Sequence, residues 1–198
     1  TRQTKKNLDR IGSRGGSYHI IAQDDDFQIG AFHVRSIRSC HISFDFYYIA
    51  KNAISPGFYA GLPRVFQSLH QFSKTPLGDE CVEFLLEAGG ERLLLAASLG
   101  EDDSIAHPQD VDVFVMPYNG RWYLNEHMMK HVRQIRPKKI IMSHFDAAFP
   151  PLCLDSKPER FVSFMKQKQP ETEVIIPEYT KAYALRDTPA AFVLEKAQ

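Results

Sequence analysis

The stretch that most constrains the fold runs from Val111 to Phe149 and has the pattern strand, short loop, helix, strand. Val111–Met116 is a continuous apolar segment, which is typical of a strand buried on both faces. Apolar residues then recur at helical spacing from Leu124 to Ile135, with Asn125 as the candidate N-cap, and a second apolar strand, Lys139–Met142, follows. Two strands joined by a helix with tight connections predict a parallel pair with a right-handed crossover, and hence an α/β fold.

Polar residues follow each of these two strands. Asn119 and Gly120 come after the first strand, and His144 and Asp146 come after the second. An open α/β sheet places its ligands at the carboxyl ends of its parallel strands. We therefore expect His144 to be a ligand or catalytic group, with the other three residues lining the site. A hydrogen-bonded histidine at a strand end is the alternative interpretation.

The residues before this unit predict strand pairs and an insertion. Tyr18–Ala22, Phe27–Ile29 and an alternating run that begins at Phe32 are separated by short polar turns, and the run ends just before His41. Phe44, Phe46 and Tyr48 continue the alternation. Residues 52–80 are rich in proline and glycine and form a predicted insertion with one helix, at about 63–72.

A hairpin is predicted from Cys81 to Ala97, with its turn at Gly89 and Gly90. Its second strand runs into Ser98 and then into an acidic loop. After the central unit, residues 158–167 show helical spacing and residues 172–176 form a last strand. Residues 1–16 are a basic lead-in and residues 186–198 a tail, so a single domain covers 17–185.

Composition excludes several classes of protein. The chain has 198 residues, 43% of them hydrophobic, which is enough for one sizeable core. Basic and acidic residues number 24 each, so nothing indicates nucleic-acid binding. No apolar run is long enough to span a membrane, and three widely spaced cysteines form neither a disulfide framework nor a thiolate metal site. We expect a cytoplasmic protein.

The order of these pieces resembles the second half of a metallo-β-lactamase-fold hydrolase, and it is most similar to the L-ascorbate-6-phosphate lactonase-like branch. The similarity covers about residues 17–185. It rests on the hairpin, on the loop 97–100, on DVFVMPYNG at 112–120, and on RPKKIIMSHFD at 136–146. His41 matches the strand that ends in the family's third metal-site histidine.

The resemblance implies an αββα sandwich that holds zinc, manganese or iron. Metal-activated water would then attack an ester, a lactone or a phosphoester in a small-molecule substrate. His41 and His144 are the implied ligands, and Asp102 and Asp103 are further candidates. Two departures stand out: the family's HxHxDH motif has no counterpart, and the bridging aspartate aligns with Ser98, whose neutral hydroxyl is a poor ligand between two cations.

Two functional hypotheses follow. The chain is a metal-dependent hydrolase whose site is completed by a segment outside it, or it is a catalytically degenerate domain used for binding or assembly. In both cases we expect a partner, either the missing amino-terminal half or a second copy. His127 and His131 lie four apart on the central helix without the glutamate of HExxH, so they are interpreted as packing residues, as is His107. The absence of GxGxxG and P-loop motifs argues against a nucleotide-binding module.

Overall fold

The structure is a computed structural model that describes residues 2–10, 20–43, 45–74, 81–146 and 156–178. Within those ranges the chain forms a mixed α/β fold. In chain order its elements are α1 (Arg2–Arg10), β1 (Asp26–Ile29), β2 (Phe32–Ser39), α2 (Phe46–Ala53), α3 (Pro56–Lys74), β3 (Cys81–Ala88), β4 (Glu91–Leu95), β5 (Val113–Pro117), α4 (Leu124–Ile135), β6 (Lys139–Ser143), α5 (Pro158–Lys168) and β7 (Glu173–Ile175).

All the described strands belong to one seven-stranded sheet in which spatial order follows chain order. The strands β1 to β4 pair antiparallel, and β4 to β7 pair parallel. Parallel pairing puts the carboxyl ends of β4, β5 and β6 on one edge. The antiparallel order of β2, β3 and β4 brings the end of β2 to the same edge, because β2 and β4 run in the same direction.

The central unit forms as predicted, with a shifted helix start. The N-cap of α4 is Tyr123, which makes no side-chain cap hydrogen bond, and the helix ends at Ile135 with Arg136 in the left-handed conformation. Asn125 is therefore not the cap: it lies inside the first turn, where its Oδ1 accepts from the Tyr118 hydroxyl at 2.6 Å. The Asn125 side chain, which the local pattern assigned to capping, thus bonds the tyrosine that directly follows β5 instead.

The core lies between α4, α5 and one face of the sheet. Large side chains from both layers are almost wholly excluded from solvent, which stabilises the fold by the burial of apolar surface. The main members are Leu85, Leu94, Phe114, Met116, Met128, Val132, Ile135, Ile140, Met142, Phe161 and Met165.

The opposite face of the sheet is also apolar, but its side chains are only partly covered. Register pairs Phe84 with Leu95 and Leu86 with Leu93, and the parallel strands continue the row with Val115 and Ile141. Leu95 is 40% exposed and the others are half-buried. We call these six residues the second face.

Two local predictions are wrong, and the predicted insertion helix is longer than expected. The alternation at Phe46 and Tyr48 belongs to helix α2, because the Asp45 carboxylate caps this helix by accepting from the Tyr48 N–H at 2.7 Å. Residues 20–22 are not a strand, although 18 and 19 lie outside the described ranges. The insertion helix α3 begins at Pro56 and contains Pro63. The tail at 186–198 lies outside the described residues.

None of the described helices is both long enough and apolar enough to cross a bilayer.

Candidate functional site

Five predicted site residues line one cavity of about 60 Å³ at the carboxyl edge of the sheet. These residues are His41, Ser98, Asn119, Gly120 and His144. They come from the loops that follow β2, β4, β5 and β6, so the sheet topology brings together residues that are far apart in the sequence.

His41 is oriented by the backbone of the next residue. Its Nδ1 lies 2.7 Å from the carbonyl oxygen of Ile42, so the neutral ring carries its proton on Nδ1 and donates it there. The lone pair is then on Nε2, which is the arrangement of a histidine prepared to bind a metal or accept a proton.

His144 lies in an unusual backbone conformation directly after β6. Its φ of 51° is in the left-handed region, which costs energy for a residue with a Cβ and is concentrated at functional sites. The imidazole is half-exposed, and its Nδ1 is 4.0 Å from the Asp146 carboxylate. Asp146 also fixes the neighbouring loop, since its backbone oxygen accepts from the Asn119 side chain at 3.1 Å.

Ser98 is buried in the wall of the cavity, where it accepts two hydrogen bonds. Its Oγ accepts the Ile42 N–H at 2.9 Å, and its carbonyl accepts from the Ser39 hydroxyl at 3.3 Å. Gly100, two residues later, donates its N–H to the Cys40 carbonyl at 2.9 Å. A Cβ on Gly100 would lie 2.6 Å from the His41 carbonyl oxygen, so only glycine allows the two loops to approach this closely.

The two acidic candidates do not reach this cavity. Asp102 binds Arg38 at 3.2 Å and the Ser104 hydroxyl at 2.6 Å, and the Ser104 bonds hold the pKa of its carboxyl below the usual value. Asp102 and Asp103 instead line a separate cavity of about 210 Å³.

Within the described ranges, no group of three or more His, Cys, Asp or Glu side chains is arranged to hold a metal. Since a metal centre needs at least three protein ligands, His41 and His144 alone do not complete one.

A buried histidine cluster lies beside that separate cavity. His107 binds the fully buried Glu83 at 3.1 Å, and His127 binds the Leu99 carbonyl oxygen at 2.7 Å. The His131 ring lies between them, with centroids 5.4 Å and 5.1 Å away, and neither of its nitrogens has a hydrogen-bond partner in the described part of the chain. Burial lowers the pKa of His131 to about 3, with the nearby histidines contributing. The prediction that these are packing residues therefore agrees with their burial.

The sequence did not predict that α2 supports the loop that contains Asn119. The Tyr48 hydroxyl donates to Asn119 Oδ1 at 2.8 Å, and the Trp122 N–H donates to the Asp45 carboxylate at 2.7 Å, so α2 supports the site loop. Asp45, a residue type preferred at helix N-caps, was the available signal, and the alternating aromatic residues after it obscured that signal.

A structure from Parabacteroides distasonis described as a "Putative metal-dependent hydrolase" matches with a TM-score of 0.52 and 13% identity, over 85% of this chain and 59% of that one. The chain is similar in fold to that structure. At this identity the likeness shows the fold alone, and together with the mixed sheet it confirms the predicted fold class.

A second structure, from Thermotoga maritima, is described as a "putative zn-dependent hydrolase of the metallo-beta-lactamase superfamily". It matches with a TM-score of 0.44 and 12% identity, over 75% of this chain and 60% of that one, which is too weak to carry an argument. The chain thus spans about three fifths of the length of both structures. Neither a protein-family model nor a curated protein matches the sequence.

Proposed function

We propose that the chain contributes His41 and His144 to the metal centre of a hydrolase that acts on an ester, lactone or phosphoester bond of a small molecule. Zinc, manganese or iron is the proposed metal. One observation carries the proposal: two histidines from distant loops line one cavity at the edge of the sheet where such chemistry is placed. The fold similarity to a structure described as a "Putative metal-dependent hydrolase" supports it.

The state of each histidine also supports the proposal. The Nδ1 bond of His41 leaves Nε2 as the basic nitrogen, and the strained backbone of His144 is of the kind found at functional positions. Neither feature is needed by a residue that only fills space.

The remaining ligands have to come from elsewhere, because the described residues supply only two. We propose that they belong to a segment or a second copy that packs on the second face, defined above by Phe84, Leu86, Leu93, Leu95, Val115 and Ile141. A row of half-buried apolar side chains across four strands is the surface that a second layer would cover.

The substitution Ser98→Asp tests this function. Ser98 lines the cavity, so a carboxylate at this position would add a third ligand of the type that divalent metals prefer. We expect the affinity for Zn²⁺ or Mn²⁺, measured by isothermal titration calorimetry, to rise at least about tenfold. The gain should disappear when His41→Ala is added to the same chain.

The matched control is Ser163→Asp, which adds the same charge at an exposed position of α5. Its metal affinity should equal that of the wild type. If Ser98→Asp leaves metal affinity unchanged while the protein remains folded, the loop after β4 does not face the metal and the proposal is wrong.

A further inference from the structure

A third cavity, of about 320 Å³, lies beside α2 and has a strongly basic lining. Four cationic side chains contribute to it: Lys51, Arg121, Lys157 and Arg160. The lining contains a single carboxylate, that of Glu126. In a chain with equal numbers of acidic and basic residues, this is a local concentration of positive charge.

Among the described residues, no carboxylate neutralises these four cations. Within the described ranges none of the four cations forms an ion pair with a carboxylate, in contrast to Arg92, Lys130 and other surface cations of the chain. Lys51 lies 4.6 Å from the centre of the Trp122 ring. The Arg121 Nε is buried and has no hydrogen-bond partner among the described residues. A buried guanidinium donor left without an acceptor is costly, which points to an acceptor supplied from outside.

Two helices also begin at this cavity. Its lining includes Leu124 and Asn125 of the first turn of α4, and Lys157 with Arg160 at the start of α5. Neither helix has a side-chain cap hydrogen bond, so the backbone N–H groups of both first turns lack the usual side-chain acceptor. The dipoles of both helices place partial positive charge at their amino-terminal ends, which line this cavity, and this charge adds to that of the four cations.

We propose that this cavity binds the oxyanion group of a small molecule, a phosphate or a carboxylate. Its volume is at the lower end of the range of ligand sites, and hydroxyl and amide groups complete a lining that is polar and aromatic. The Tyr48 hydroxyl, which belongs to this lining, bonds Asn119 of the first cavity at 2.8 Å, so the two cavities share a wall. The next step rests on the proposed function. The oxyanion is then the group that anchors the substrate, whose scissile bond lies near His41 and His144.

The test is anion binding to the chain after EDTA treatment and dialysis into buffer that contains neither EDTA nor metal, so that neither a bound metal nor a competing carboxylate contributes. Inorganic phosphate and citrate are titrated separately by calorimetry, with chloride holding the ionic strength constant. We expect saturable binding of at least one of them. Arg121→Gln and Arg160→Gln should each weaken it about tenfold or more, because each removes a charge-assisted hydrogen bond. The matched control is Arg133→Gln, which removes the same charge from an exposed position of α4 and should leave the affinity unchanged.

The outcomes are distinguishable. Tighter binding of phosphate identifies a phosphate group and tighter binding of citrate a carboxylate, and both support the site. Absence of binding to either anion in the folded wild type overturns the proposal, as does an equal loss in Arg133→Gln. Far-UV circular dichroism checks each variant, and Lys157→Gln, at an exposed position, replaces any variant that does not fold. Since no metal is present, failure here leaves the Ser98→Asp test untouched, and failure of that test leaves this cavity in place.

Discussion

The buried ring of His131 gives a prediction whose sign is opposite to the usual cost of a core substitution. Its side chain is 5% exposed, and both ring nitrogens lack partners among the described residues. An unsatisfied buried polar group costs about 1–3 kcal/mol, so we expect His131→Leu to raise the free energy of unfolding at pH 7 by about that amount. Urea denaturation followed by circular dichroism measures the difference.

The same substitution should remove part of the pH dependence of stability. The pKa of His131 is about 3 in the folded chain and 6.5 ordinarily, so the unfolded chain takes up the proton first as the pH falls below 6.5. Folding is therefore penalised increasingly from pH 6.5 down to about 3. Between pH 7 and pH 5.5 the wild type should lose about 1.3 kcal/mol through this group, and His131→Leu should not.

His127→Leu is the matched control, one turn earlier on α4. The change from histidine to leucine raises helix propensity equally in both variants. His127→Leu, however, also removes the 2.7 Å bond to the Leu99 carbonyl and the 3.2 Å contact with Glu101. It should therefore lower the free energy of unfolding by about 1–3 kcal/mol. If His131→Leu destabilises the chain as much as His127→Leu does, then His131 has a partner and the reasoning is refuted.

Three further predictions concern the proposed site and the second face. Gly100→Ala should lower the free energy of unfolding by about 1–3 kcal/mol and weaken any metal binding, because its Cβ would meet the His41 carbonyl. Gly30→Ala, which has nothing within 4 Å of its Cβ, should cost only the strain of its positive φ. Denaturant titration of both variants measures the difference. The chain alone should retain little zinc, iron or manganese after dialysis, and near-stoichiometric metal that is lost in His41→Ala His144→Ala would show that ligands were miscounted. The chain alone should also bind a dye that reports exposed apolar surface and should form oligomers that light scattering detects. The reason is that several hundred Å² of uncovered apolar surface on the second face costs on the order of 10 kcal/mol. A monomer that does not bind the dye would contradict this prediction.

The sequence by itself determined the elements whose signals are local. The apolar runs at β5 and β6, the helical spacing of α4 and the glycine turn between β3 and β4 all appear in the structure close to their predicted bounds. These elements are specified by periodicity and turn chemistry within a few residues. The positions of His41 and His144 at strand ends follow from the same signals.

The tertiary structure decided which of those residues meet. Asp102 follows β4 just as Ser98 does, yet the chain turns it toward Arg38 and away from the cavity that Ser98 lines. Phe46 begins a helix and not a strand because the Asp45 carboxylate caps that helix, and the same carboxylate also accepts from the distant Trp122 N–H. The basic cavity joins α2, α4 and α5, and the burial of His131 depends on packing against residues far along the chain. Such contacts are set by long-range packing, which no short window of sequence contains.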